Sequence, residues 1–104
     1  MLKSKKTFTH TRHYRYVISL IPSFEINKIS VWDWIIHIER ETKIKIATFY
    51  FEGNRNLVLY FKVNRNFNFN LSQQDRLGAY ISNFGNIVFT RFIVFDKIKQ
   101  SYFR

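Results

Sequence analysis

The residues of this chain best equipped for chemistry are cations and aromatic rings in stretches that lack acids. Lys3, Lys5, Lys6, Arg12 and Arg15 all precede the first carboxylate, Glu25. Arg55, Lys62 and Arg65 fall between Gly53 and Gln74, which holds no acid, and Lys97, Lys99 and Arg104 lie at the end of the chain. Such heads make charge-assisted hydrogen bonds to phosphate oxygens, and contacts of this kind position a protein on a nucleic acid without reading its sequence. Tyr60 and Phe67 add rings on which bases can stack. These thirteen residues form the expected nucleic-acid-binding set. The overall charge agrees: 17 Lys and Arg against 7 Asp and Glu give a formal net charge of +10 and a pI near 10.2. A small body so charged favours a polyanionic partner, either nucleic acid or an anionic membrane.

Other chemistries find little support. The chain has no cysteine, which excludes disulfides, zinc–thiolate sites and thiol catalysis. His10 and His13 stand three apart in a stretch without helical or strand pattern, and His37 stands alone, so a metal site would need a distant acid. There is no P-loop, no G-x-G-x-x-G and no nucleophile elbow; Gly53, Gly78 and Gly85 are the only glycines. The expectation is a protein that is not an enzyme, with no catalytic residues, metal, cofactor or small-molecule substrate.

At 104 residues, 46% hydrophobic and 19% aromatic, the sequence has enough apolar material for one folded domain. No apolar run reaches the roughly 18 residues that a membrane-spanning helix needs. The basic start lacks the apolar segment of a secretory signal. Abundant Asn, Lys, Ile, Phe and Tyr, residues with AT-rich codons, fit an organellar, viral or low-GC bacterial source; the expected location is intracellular, and for an organelle-encoded chain the mitochondrial matrix.

The elements that must position these residues centre on Lys43 to Val63. Glu52-Gly53-Asn54-Arg55 has hairpin chemistry, because Gly and Asn accept positive φ at little cost. In the strand after it, Leu57, Leu59, Phe61 and Val63 point one way, and Val58, Tyr60 and Lys62 the other. Tyr14 to Ile21 reads as a first strand ended by Pro22. Over 31–42, Val31, Trp34, Ile35 and Ile38 make a helical stripe, although alternation of Trp32, Trp34, Ile36 and Ile38 also permits a strand. The helix is preferred, with Ser30 and Asp33 at capping-box spacing. A second helix is expected after Ser72, with Leu77, Tyr80, Ile81 and Phe84 inward and Gly85 as its C′ residue. Asn86 to Phe95 makes the last strand.

The order β-α-β-β-α-β predicts an α+β, ferredoxin-like fold, with two helices on one face of a four-stranded antiparallel sheet. A basic N-terminal arm (1–13), the domain (14–96) and a basic tail (97–104) complete the expected organisation. RNA-recognition motifs share this topology, but Arg55-Asn56-Leu57-Val58-Leu59-Tyr60 keeps only the Arg of their central motif. Arg65-Asn66-Phe67-Asn68-Phe69 matches the Arg and both aromatics, with Asn in place of both glycines. Rolling-circle initiators carry a His-hydrophobic-His motif where this chain has Asn56-Leu57-Val58. The resulting expectation is a non-catalytic nucleic-acid-binding component, an rRNA-binding ribosomal or other ribonucleoprotein subunit. Its partners would be structured RNA and neighbouring proteins of a large assembly. The alternatives are an accessory subunit of a protein or membrane complex, or a phage or viral DNA-binding replication accessory.

Overall fold

The computed structural model describes residues 5–24, 28–64 and 69–103, with side chains over 11–24, 31–64 and 69–95. Six elements follow one another: β1 (Lys5–Pro22), α1 (Lys28–Thr42), β2 (Ile46–Glu52), β3 (Asn56–Val63), α2 (Leu71–Ser82) and β4 (Gly85–Phe103). The strands form one sheet in the order β2-β3-β1-β4, with every neighbouring pair antiparallel. This is the ferredoxin-like α+β fold expected from the sequence.

Period-two alternation places the core. Tyr16, Ile18 and Leu20 of β1 and Leu57, Leu59, Phe61 and Val63 of β3 are buried on one face. Trp34 and Ile38 of α1 and Leu77 and Ile81 of α2 close over them. Each such side chain contributes about 1.5–3 kcal/mol by leaving water. The helical reading of 31–42 holds, because Val31, Trp34, Ile35 and Ile38 are buried while Trp32 and Ile36 are exposed. The hairpin turn carries Gly53 at φ +67°, the left-handed value that favours glycine.

Several element ends differ from the sequence reading. β1 and β4 run beyond Tyr14 and Phe95: pairing of β1 with β3 stops at Tyr14↔Val63, but pairing with β4 continues to Lys5↔Phe103. A two-stranded ribbon therefore projects from the sheet, and the molecule measures 65 × 30 × 23 Å. The helix α1 begins at Lys28, two residues before the expected Ser30 cap. The helix α2 is capped by Asn70, whose Oδ1 accepts from the Gln73 N–H at 3.0 Å while Gln73 Oε1 accepts from the Asn70 N–H at 3.0 Å. Gly85 is not a helix-terminal residue; it opens β4, where a Cβ would collide with the Ile21 carbonyl oxygen.

Candidate ligand-binding site

A half-open cleft of about 480 Å³ lies between the end of α1 and the flank of α2. Its first wall is the exit from α1, where Glu41, Thr42, Lys43 and Ile44 follow in sequence. Local bonds fix this exit. Thr42 Oγ1 donates to the Ile38 carbonyl at 2.7 Å and accepts from the Ile44 N–H at 3.2 Å. The Lys43 N–H donates to the Glu39 carbonyl at 3.0 Å, and Lys43 adopts φ +63°. This is the left-handed helix stop usually given to glycine, so the backbone carries strain at the mouth of the cleft.

The second wall is a stripe of α2. Gln73, Arg76, Leu77 and Tyr80 stand at i, i+3, i+4 and i+7, the spacing that aligns side chains on one helical face. Leu77 is buried and forms part of the floor with half-buried Ile44 and Phe69, whose ring meets Tyr16 edge-on at 5.0 Å. Arg76, Lys43 and Glu41 are exposed members of the lining. The Tyr80 hydroxyl is buried without a hydrogen-bond partner among the described residues. Burial holds its pKa above the ordinary phenol value, and the nearby Glu41 charge adds to the rise. An unsatisfied buried hydroxyl costs free energy that a ligand oxygen or nitrogen would recover.

A second hollow of about 390 Å³ adjoins the first, sharing Lys43, Ile44 and Phe69 and adding Lys45, Lys62, Val63 and Asn64. Three lysines therefore edge this hollow, with Arg76 in the neighbouring cleft. Against them stands Glu41, the single acid among the described residues of either lining. Chemically, the arrangement suits a small anion with an apolar body: exposed cations in the lining, with aliphatic and aromatic carbon beside them.

The expected nucleic-acid set is not brought together. Lys3, Arg65, Phe67 and Arg104 lie outside the described residues. Lys5, Lys6, Lys97 and Lys99 belong to the projecting ribbon, with Arg12 at its base opposite Asp96. Arg15 lies farther in, where its Nη1 donates to the Tyr14 carbonyl at 2.8 Å and its guanidinium sits 5.5 Å from the Phe95 ring centre. Arg55 occupies the β2–β3 turn, at the end of the sheet where Leu57 pairs with Leu20. Eight residues of strand, roughly 26 Å, separate that end from Arg12. Tyr60 is half-buried and packs against Tyr50 at 6.0 Å. Among the described members of the set, Lys62 alone lines either hollow. The residues that do converge, Glu41, Lys43, Ile44, Gln73 and Arg76, were missed by sequence reasoning. The one available signal was the helical spacing of Gln73, Arg76, Leu77 and Tyr80.

No protein-family model matches the sequence, and no characterised protein matches it by sequence. Solved structures do match the fold. The regulatory subunit of aspartate kinase from Thermus thermophilus, in its ligand-free form, is 13% identical with a TM-score of 0.50, covering 88% of this chain and 58% of that one. A C-terminal regulatory domain of aspartate kinase from Porphyromonas gingivalis is 11% identical with a TM-score of 0.48, covering 94% and 61%. A formyltetrahydrofolate deformylase from Pseudomonas putida gives 12% identity and a TM-score of 0.41, covering 79% and 28%. The chain thus spans about three-fifths of the aspartate kinase regulatory chains it resembles.

These findings overturn the expectation of an rRNA-binding ribosomal or other nucleic-acid-binding component, and with it structured RNA and a ribonucleoprotein assembly as partners. The structure matched at a TM-score of 0.50 is a regulatory subunit of aspartate kinase, not a ribosomal or RNA-binding protein. The physical reason the expectation failed is that net charge sets a long-range field without specifying a site. Here the topology spreads the cations along a ribbon, a sheet face and a distant turn.

Proposed function

We propose that this chain is a non-catalytic binding domain of regulatory type that takes up a small organic acid. The observation that carries this reading is the cleft between the exit from α1 and the flank of α2. Its volume of about 480 Å³ falls in the range of small-molecule sites. Lys43 and Arg76 stand ready for a carboxylate, Ile44, Leu77 and Phe69 for its carbon skeleton, and the unpartnered Tyr80 hydroxyl for a further polar group. The role named for the Thermus thermophilus aspartate kinase subunit is one that this fold accommodates. Occupancy would tie the end of α1 to α2, and that link is the means by which a ligand reaches the rest of the domain.

The test is an amide-resolved NMR titration with acetate, succinate, phenylacetate and a set of free amino acids. The expected result is saturable movement of the Lys43, Ile44, Gln73 and Arg76 amides, weakened roughly tenfold or more in Arg76→Gln. Silence at those amides across the whole panel would remove the reading.

A further inference from the structure

We propose that β4 pairs antiparallel with β4 of a second copy of this chain, about a two-fold axis through Ile93, to give one continuous eight-stranded sheet. The strand β4 is an outer strand of the sheet, so its far edge bonds to nothing among the described residues. It spans 19 residues and carries Val88, Phe89, Phe92, Val94 and Phe95, each between 39% and 50% exposed. A long apolar edge with a free row of N–H and C=O groups is a template for another strand. Folded proteins blunt such edges with charge, proline or bulges. Here the register shifts beside Ile87–Phe89, but pairing is regular from Phe89 to Phe103.

Three observations select a second copy as the occupant. First, the chain carries a net charge of +10, yet the paired stretch from Gly85 to Ser101 holds only Arg91, Asp96, Lys97 and Lys99, a net of +2, and with the axis at Ile93 each of them falls opposite an uncharged residue. Two copies therefore meet here with little repulsion. Second, among the described residues the ribbon beyond Tyr14 and Phe95 is two strands wide, an arrangement that is marginal in water. With an axis at Ile93, near the middle of the strand, residues 95–101 of each copy lie beside residues 85–91 of the other. Each ribbon thereby gains a third strand. Third, the register is self-complementary. Phe92 falls opposite Val94 on the helix-covered face, and Arg91 opposite Phe95 on the other. The latter pair repeats a contact the chain already makes, since Arg15 lies 5.5 Å from the Phe95 ring centre and Arg91 5.6 Å from that of Phe89. Moving the axis to Val94 would set Arg91 against Lys97, and like charges directly opposite are destabilising.

The full chain in sedimentation velocity, compared from low to high micromolar concentration, should shift from monomer toward twice the monomer mass. The absence of native cysteine allows a sharper reading. Ile93→Cys places two thiols across the axis, where antiparallel Cα atoms stand about 4.5–5.5 Å apart, within disulfide reach. That variant should oxidise to a covalent dimer, whereas Thr48→Cys on the opposite edge strand should not. Val94→Lys should return the chain to a monomer with an unchanged circular dichroism spectrum. A wild-type chain that stays monomeric throughout would overturn the proposal. So would a dimer that cross-links through Thr48→Cys, or one in which Ile93→Cys stays reduced.

Discussion

The Glu39 carboxylate on α1 accepts a hydrogen bond from the Ile46 backbone N–H at 2.8 Å, tying the last turns of the helix to the first residue of β2. The three-residue connection between them, Lys43 to Lys45, is held at both ends by this bond and by the Lys43 N–H to Glu39 carbonyl bond. One residue thus shapes the α1 wall of the cleft through two bonds. Glu39→Ala removes the carboxylate acceptor and leaves a half-buried amide unmatched, which should cost about 1–2 kcal/mol. Urea unfolding measures the loss, and Glu39→Gln, which retains an acceptor oxygen, should recover part of it.

Lys43 sits at φ +63° in a helix stop that suits glycine. Lys43→Gly relieves strain of about 1 kcal/mol, so the midpoint of thermal unfolding should rise. The same change deletes a cation from both hollows, so acid binding should weaken. A variant that is more stable yet binds as well as the wild type would remove Lys43 from the site.

Tyr80 permits a paired test. Tyr80→Phe removes a buried, unpartnered hydroxyl and should leave neutral-pH stability unchanged or raise it by about 1 kcal/mol. Ligand binding should fall if that hydroxyl contacts the ligand. The pH dependence has a definite sign. The folded-state pKa is raised, so between the unfolded value near 10 and the higher folded value the folded protein binds more protons. Stability should therefore decline as the pH climbs above 10, and less steeply in Tyr80→Phe, as alkaline unfolding curves would show.

Gly85 touches the backbone of β1 so closely that any Cβ would strike the Ile21 carbonyl and crowd Pro22 Cα at 2.8 Å. Backbone cannot move aside as a flexible side chain can. Gly85→Ala should cost about 2–4 kcal/mol in chemical denaturation, unlike Gly78→Ala, whose new methyl meets nothing within 4 Å. Inside α2, the latter should stabilise by about 0.5–1 kcal/mol.

How far the fold was legible follows from where the core is. The inward rows of β3 and α1 could be read because burial on one face imposes a period on residue type, as Leu57, Leu59, Phe61 and Val63 show. The sequence of the ribbon carries no such period, so Lys5 to His13 read as irregular. The Asn70–Gln73 cap was hidden because Ser72, two residues on, offered an equally plausible cap. The cleft was illegible for a different reason. It joins two segments about thirty residues apart, and its shape depends on a positive φ at a lysine, which residue type does not announce. Charge was the loudest feature of the sequence and the least informative about a site.

The pairing of Lys5 with Phe103 also has a mechanical consequence. Force applied between these two residues pulls perpendicular to the strands and loads one rung of the ladder at a time. The ribbon should open like a zipper at low force, rung by rung, until the load reaches Tyr14 and Val94. There a third strand shares it, and resistance should rise abruptly.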